Sequence, residues 1–146
     1  MPPDPSGERW RRVPPVTTSL TQLFGFTRKK AANSRATKIE VRHRKSGEVL
    51  LTVESDSLEK LELDGVDLRG ADLRGVNLYY SSLSNVNLRD ADLRGANLFG
   101  VDLRASDLRG ANLRGANLGK ANLRFIRYDH RTRWPWFFNL QEAMRR

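Results

Sequence analysis

Between residues 56 and 125 leucine recurs at every fifth position without a gap, fourteen times from Leu58 to Leu123. From Leu68 onward a small or β-branched residue such as Val66, Ala71, Val76 or Ala91 stands two places before each leucine, and the place between is most often Asp or Asn. Arg and then Gly commonly follow. On an α-helix five residues advance a net 140°, which scatters successive leucines around the cylinder and leaves no apolar face. On a continuous strand an odd period sends alternate leucines to opposite faces. The pattern that buries every leucine is a very short extended piece with Leu inward, then a corner, repeated into a coil. Glycine suits the corners because a tight turn asks for positive φ.

Outside the array the periodicity changes. Residues 38–55 alternate as a strand in Ile39-Glu40-Val41-Arg42-His43, turn at Lys45-Ser46-Gly47 and return through Val49-Leu50-Leu51-Thr52-Val53, which predicts a β-hairpin. Because a solenoid end exposes unpaired edges and a section of core, this hairpin is expected to cap the N-terminal end. Residues 126–146 leave the five-residue rhythm and concentrate aromatics in Trp134-Pro135-Trp136-Phe137-Phe138, an expected C-terminal aromatic and short helical cap. Residues 1–37 are rich in Pro and basic residues and read as a disordered basic tail. Within it, Ser19 could start a short helix presenting Leu20, Leu23 and Phe24.

The units Ala71-Asp72-Leu73-Arg74-Gly75, Ala91-Asp92-Leu93-Arg94-Gly95 and Ala111-Asn112-Leu113-Arg114-Gly115 resemble the A-(D/N)-L-x-x pattern of the pentapeptide-repeat family. The resemblance implies an all-β fold, a right-handed quadrilateral β-helix with four pentapeptides per coil. Fourteen repeats would then make about three and a half coils, and residues twenty apart would stack. Tyr128-Asp129-His130-Arg131-Thr132-Arg133-Trp134-Pro135 also resembles a terminal motif common in bacterial members, with Phe137 standing where that motif has Gly.

Composition changes the picture mainly through charge. The chain of 146 residues carries a formal +9, but residues 56–125 hold ten basic and ten acidic side chains and are neutral. The excess lies at the ends: eight basic against two acidic in residues 1–38, and five against two in residues 126–146. Some members of the family are similar in shape and charge to double-stranded DNA and bind type II topoisomerases such as DNA gyrase. A short neutral coil with basic ends disfavours that mimicry by the sign of its charge.

Catalytic chemistry is sparse. The chain has no cysteine and only two histidines, His43 in the hairpin and His130 in the closing segment, expected at opposite ends. No metal-ligand spacing, P-loop or dinucleotide fingerprint occurs, so neither cofactor nor metal is expected and the chain is read as a non-enzyme. No apolar run suits a transmembrane helix, and Arg11-Arg12 is followed by Pro14-Pro15 rather than an apolar stretch. A cytoplasmic location is expected.

Stacking at twenty residues sorts the outward side chains into faces. Arg69, Arg89 and Arg109 form one ladder, Arg74, Arg94 and Arg114 the next, with Asp67, Asp72, Asp92 and Asp107 alongside for salt bridges. Tyr79, Tyr80 and Phe99 make an outward aromatic patch, and together with Trp134, Trp136 and Phe137 they are the protein-interface candidates. An end exposing Trp136 and Phe137 also suits two-fold pairing of rods into a homodimer. Arg11, Arg12, Arg28, Lys29 and Lys30 are the candidates for nucleic-acid or anionic-surface binding. The function expected is a non-catalytic protein-binding or scaffold module.

Overall fold

A computed structural model describes residues 38–55 and 57–145. The repeats form the expected coil. Residues twenty apart pair as single parallel bridges, from Glu62↔Ser82 through Asp72↔Asp92 and Asn97↔Asn117 to Asp107↔Arg127. In each bridge the chain donates once upward and once downward: Leu93 N–H donates to Asn112 C=O at 2.8 Å, and Asn112 N–H returns to Ala91 C=O at 2.9 Å. Strands this short have almost no intrinsic stability. They persist because every repeated leucine is buried in one continuous core, which Ala71, Val86, Ala91, Val101 and Ala111 complete.

Two devices build the corners. Seven corners place glycine at positive φ, and the equivalent residues Lys60, Tyr80, Asn85, Asp90, Ala105, Lys120 and Phe125 adopt the same left-handed conformation. The Asp or Asn before each leucine then accepts the backbone N–H two residues on, as from Arg69 to Asp67 Oδ1 at 3.1 Å and from Tyr79 to Asn77 Oδ1 at 3.2 Å. These side chains are turn acceptors, as their type suggests. Most corners also close a bond such as Ala91 N–H to Leu88 C=O. At two corners a serine of the next coil replaces that bond. Ser106 Oγ donates to Leu83 C=O and accepts from Val86 N–H at 3.1 Å, and Ser81 Oγ does the same for Leu58 and Leu61.

The hairpin forms where the alternation predicts. Strand β1, Lys38–Arg42, pairs antiparallel with β2, Val49–Glu54, with an irregularity between Val41 and Arg42. Val41, Leu51 and Val53 join the core. The edge of β1 continues into the coil: Asp72 N–H donates to Arg42 C=O, Arg44 N–H donates to Gly70 C=O, both at 2.8 Å, and His43 bridges Ala71. At the other end pairing continues beyond residue 125, through Arg127 on Asp107 and Arg133 on Asn112. The last step spans twenty-one residues instead of twenty because an extra residue is taken up in the turn at Asp129–Thr132. A short helix α1, Leu140–Ala143, follows, its N-cap Asn139 accepting from Glu142 N–H at 3.1 Å. Among the described residues no helix is long and apolar enough to cross a membrane.

Candidate functional site

The aromatic face is built by the twenty-residue stack. Tyr79 and Phe99, one coil apart, stack with centroids 5.7 Å apart and planes at 11°. Tyr80 meets both edge-on, at 4.6 Å and 5.9 Å. The layers above are glycine for a steric reason. A Cβ on Gly100 would lie 2.7 Å from the Tyr80 ring, and one on Gly119 would lie 2.7 Å from the Phe99 ring. The rings therefore lean along the coil axis into space that the glycines vacate. Tyr79 and Phe99 are half-buried as a result, whereas Tyr80 keeps 46 % of its surface exposed. Lys120 extends the face, its Nζ 5.6 Å from the Phe99 centroid. Beside the rings runs an amide ladder, in which Asn97 Nδ2 donates to Asn77 Oδ1 at 2.9 Å and Asn117 to Asn97 at 3.4 Å.

Above Phe99 this face opens into a cleft of about 420 Å³ between Ala116–Lys120 on one side and Pro135–Asn139 with Ala143 on the other. Two groups of sequence candidates thereby meet, because Gly119 and Lys120 bound both the aromatic patch and the cleft that Trp136 and Phe137 line. Trp134 differs from its neighbours. It lies against the core, stacked on Phe138 at 5.6 Å and edge-on to Tyr128 at 5.9 Å, so it seals the coil more than it faces outward. Trp136 and Phe137 project into solvent.

The arginines of the repeats are largely self-neutralised. Arg74, Arg94, Arg104 and Arg109 each hold the Asp two residues earlier at 2.5–2.8 Å, and Arg69 approaches Asp67 at 4.0 Å. The hydrogen bond from Arg74 lowers the Asp72 pKa against the opposing effect of partial burial, and Arg94 does the same to Asp92. Arg89 departs from this pattern because Asn87 stands where the others have Asp. Its Nε is buried without a hydrogen-bond partner among the described residues. Asn for Asp at 87 and 112 is the sequence signal for which ladder arginines lack a carboxylate.

The closing segment carries the most strongly shifted acid. Partial burial acts to raise the pKa of Asp129, but N–H donation from Gly110 and Arg131, both at 3.0 Å, and the Arg131 guanidinium outweigh it and bring it down to about 2. Arg131 also reaches across to Asp90 at 3.1 Å, and Thr132 Oγ1 donates to Leu108 C=O at 2.9 Å. This cluster docks the segment onto the last coil, which accounts for the residues Asp129, Arg131 and Thr132 structurally. His43 lies over Gly70 and His130 is exposed in the closing turn, so the histidines are at opposite ends. Among the described residues no cluster of three His, Cys, Asp or Glu side chains is arranged to hold a metal. Arg11, Arg12, Arg28, Lys29 and Lys30, with the expected helix from Ser19, lie outside the described residues. Phe125, exposed at a corner of the last coil, was not marked by the repeat pattern.

A search of curated protein sequences found no match. Among solved structures, HetL, described as a pentapeptide repeat protein involved in heterocyst differentiation regulation in the cyanobacterium Nostoc sp. strain PCC 7120, is 34 % identical over 51 % of this chain, with a TM-score of 0.48. This chain spans 35 % of HetL. The pentapeptide repeat protein alr5209 from Nostoc PCC 7120 is also 34 % identical, over 60 % of this chain and 82 % of its own, with a TM-score of 0.34. Rfr23 from Cyanothece 51142 is 28 % identical over 65 % of this chain and 78 % of its own, again at 0.34. The family profile described as pentapeptide repeats matches residues 57–90 and 96–126 in eight copies. The repeat segment of this chain therefore belongs to the pentapeptide-repeat family, and its solenoid is of the right-handed β-helix type.

Proposed function

We propose that the chain is a non-catalytic protein-binding module, a rigid solenoid of about three and a half coils closed by the hairpin of residues 38–55 and the segment 126–146. The observation that carries this reading is the continuity of the Tyr79–Tyr80–Phe99–Lys120 face with the cleft under Trp136. An apolar, aromatic strip with one cation beside it has the composition of a protein contact. Rigidity adds to the case, since a surface on a stacked coil loses little conformational freedom on binding. Polyanion mimicry gains no support, because Asp72, Asp92, Asp102 and Asp107 each hold an arginine instead of presenting free negative charge.

The test is affinity capture from extracts of the native host with the wild type, Tyr80→Ser and Arg104→Ala. Tyr80 has its ring on the proposed surface, and Arg104 occupies a different face. A specific partner should be captured by wild type and Arg104→Ala, and reduced on the order of tenfold by Tyr80→Ser, the effect of losing one aromatic contact. Circular dichroism should be the same for all three. Equal capture by all three proteins would remove the aromatic face from the proposal.

A further inference from the structure

Two aromatic residues are placed where folding gains nothing from them. Phe125 and Phe137 both have positive φ, +61° and +59°, a conformation that disfavours any residue with a Cβ and that glycine adopts freely. Burial could offset this cost, yet Phe125 is 74 % exposed and Phe137 wholly so, and Trp136 beside it is 83 % exposed. Tyr80 is the instructive contrast. It has the same backbone conformation, but its ring lies over Gly100 against Tyr79 and Phe99. Among the described residues Phe125 has only the Arg124 guanidinium, 5.5 Å from its centroid, and Phe137 has only the tilted ring of Trp136 at 6.3 Å.

The charge around these rings is lopsided in a way that the neutrality of the array conceals. Residues 106–146 contain nine Lys and Arg against three Asp and Glu, whereas residues 38–75 contain seven against nine. The solenoid is thus acidic toward the hairpin and strongly basic toward its C-terminal end. Among the described residues Lys120, Arg124, Arg127 and Arg133 have no carboxylate within salt-bridge distance. Such concentrated positive charge opposes pairing of two C-terminal ends and favours an anionic partner.

We propose that the C-terminal end of the solenoid docks on an anionic lipid surface, with Phe125, Trp136 and Phe137 entering the headgroup region and Lys120, Arg124, Arg127 and Arg133 held at the lipid phosphates. One ring at Phe125 and the adjacent pair Trp136 and Phe137 on a separate turn suit a soft interface. A protein partner would need a pocket for each ring, and a nucleic-acid strand would need successive rings forming a platform. Aromatic side chains settle at the bilayer interface. Basic side chains near an anionic leaflet add attraction within a Debye length. The site shares Lys120, Trp136 and Phe137 with the protein-binding strip and its cleft, and adds Phe125, Arg124, Arg127 and Arg133; Tyr79, Tyr80 and Phe99 take no part in it, so the two readings fail separately.

The experiment is co-sedimentation of the full-length protein with phosphatidylcholine vesicles, with and without phosphatidylglycerol. It compares wild type with the double variant Phe125→Gly, Phe137→Gly. Both substitutions relieve the left-handed strain, so the variant should melt at or above the wild-type temperature. Wild type should bind the anionic vesicles and not the neutral ones, more weakly as salt rises. The double variant should bind roughly tenfold less, because two partly inserted rings are lost. Equal binding by both proteins overturns the proposal and moves the contact to other basic residues. A lowered melting temperature in the variant also overturns it, since the rings would then be structural. So does retention of wild type on single-stranded oligonucleotide with no binding to anionic vesicles.

Discussion

At the residue scale the five-residue pattern separates two neighbours with opposite fates. Leu93 is fully buried between Leu73 and Leu113 of the adjoining coils, while Arg94, next in the chain, lies on the surface holding Asp92. Leu93→Ala removes three carbons from a close-packed interior and should cost about 2–5 kcal/mol. Arg74→Ala, at the same outward position one coil earlier, removes an ion pair whose Asp72 stays in contact with solvent, the kind that contributes little, so its denaturation midpoint should stay near that of the wild type. Chemical denaturation of both variants checks this, and comparable losses would show that the inward register is misplaced. That register was legible in the sequence because leucine at a strict odd spacing admits few geometries. The roles of Ser81 and Ser106 were not. They occupy the same inward position as alanine or valine elsewhere, and nothing local tells that their hydroxyls bridge a corner of the coil before them.

At the scale of elements, the hairpin could be read from its alternation, but its attachment could not. That attachment depends on backbone groups of Arg42, Arg44, Gly70 and Asp72 meeting across the chain. The aromatic face shows the same division. Stacking at twenty residues places Tyr79 beside Phe99, while the way both rings lean over glycine layers follows only from the built corners. In the closing segment the sequence motif marks Asp129 without saying what it does. Its pKa, about 2, lies below the value of roughly 3.9 for an unfolded aspartate. A depressed acid binds fewer protons in the folded state, so its contribution is complete above about pH 4 and lost as pH falls toward 2. Thermal melts of wild type and Asp129→Asn should therefore differ at neutral pH and converge in that window. A difference that persists below pH 2 would assign the effect of the substitution to lost hydrogen-bond geometry and not to the charge.

The whole molecule behaves as a stack, and a stack is vulnerable at its ends. Each coil satisfies its backbone only through its neighbours, so a terminal coil without cover offers unpaired N–H and C=O groups above a section of leucine core. Val41, Leu51 and Val53 of the hairpin extend that core at the N-terminal end, and Val53 is completely buried. Val53→Asp would force an unpaired carboxylate into this contact, and the inexpensive relief is to release the hairpin rather than to unfold the coils. The released state keeps its solenoid but exposes an open end. It should associate with increasing protein concentration at temperatures below the main transition, seen by light scattering and by sedimentation. Leu93→Ala, in mid-stack, should instead lower the transition temperature while the protein stays at the wild-type mass. The two variants test whether stability and solubility reside in different parts of the rod. A Val53→Asp protein that keeps the wild-type mass and only melts earlier would mean that the hairpin is one more layer of the core and that the coil beneath it tolerates exposure.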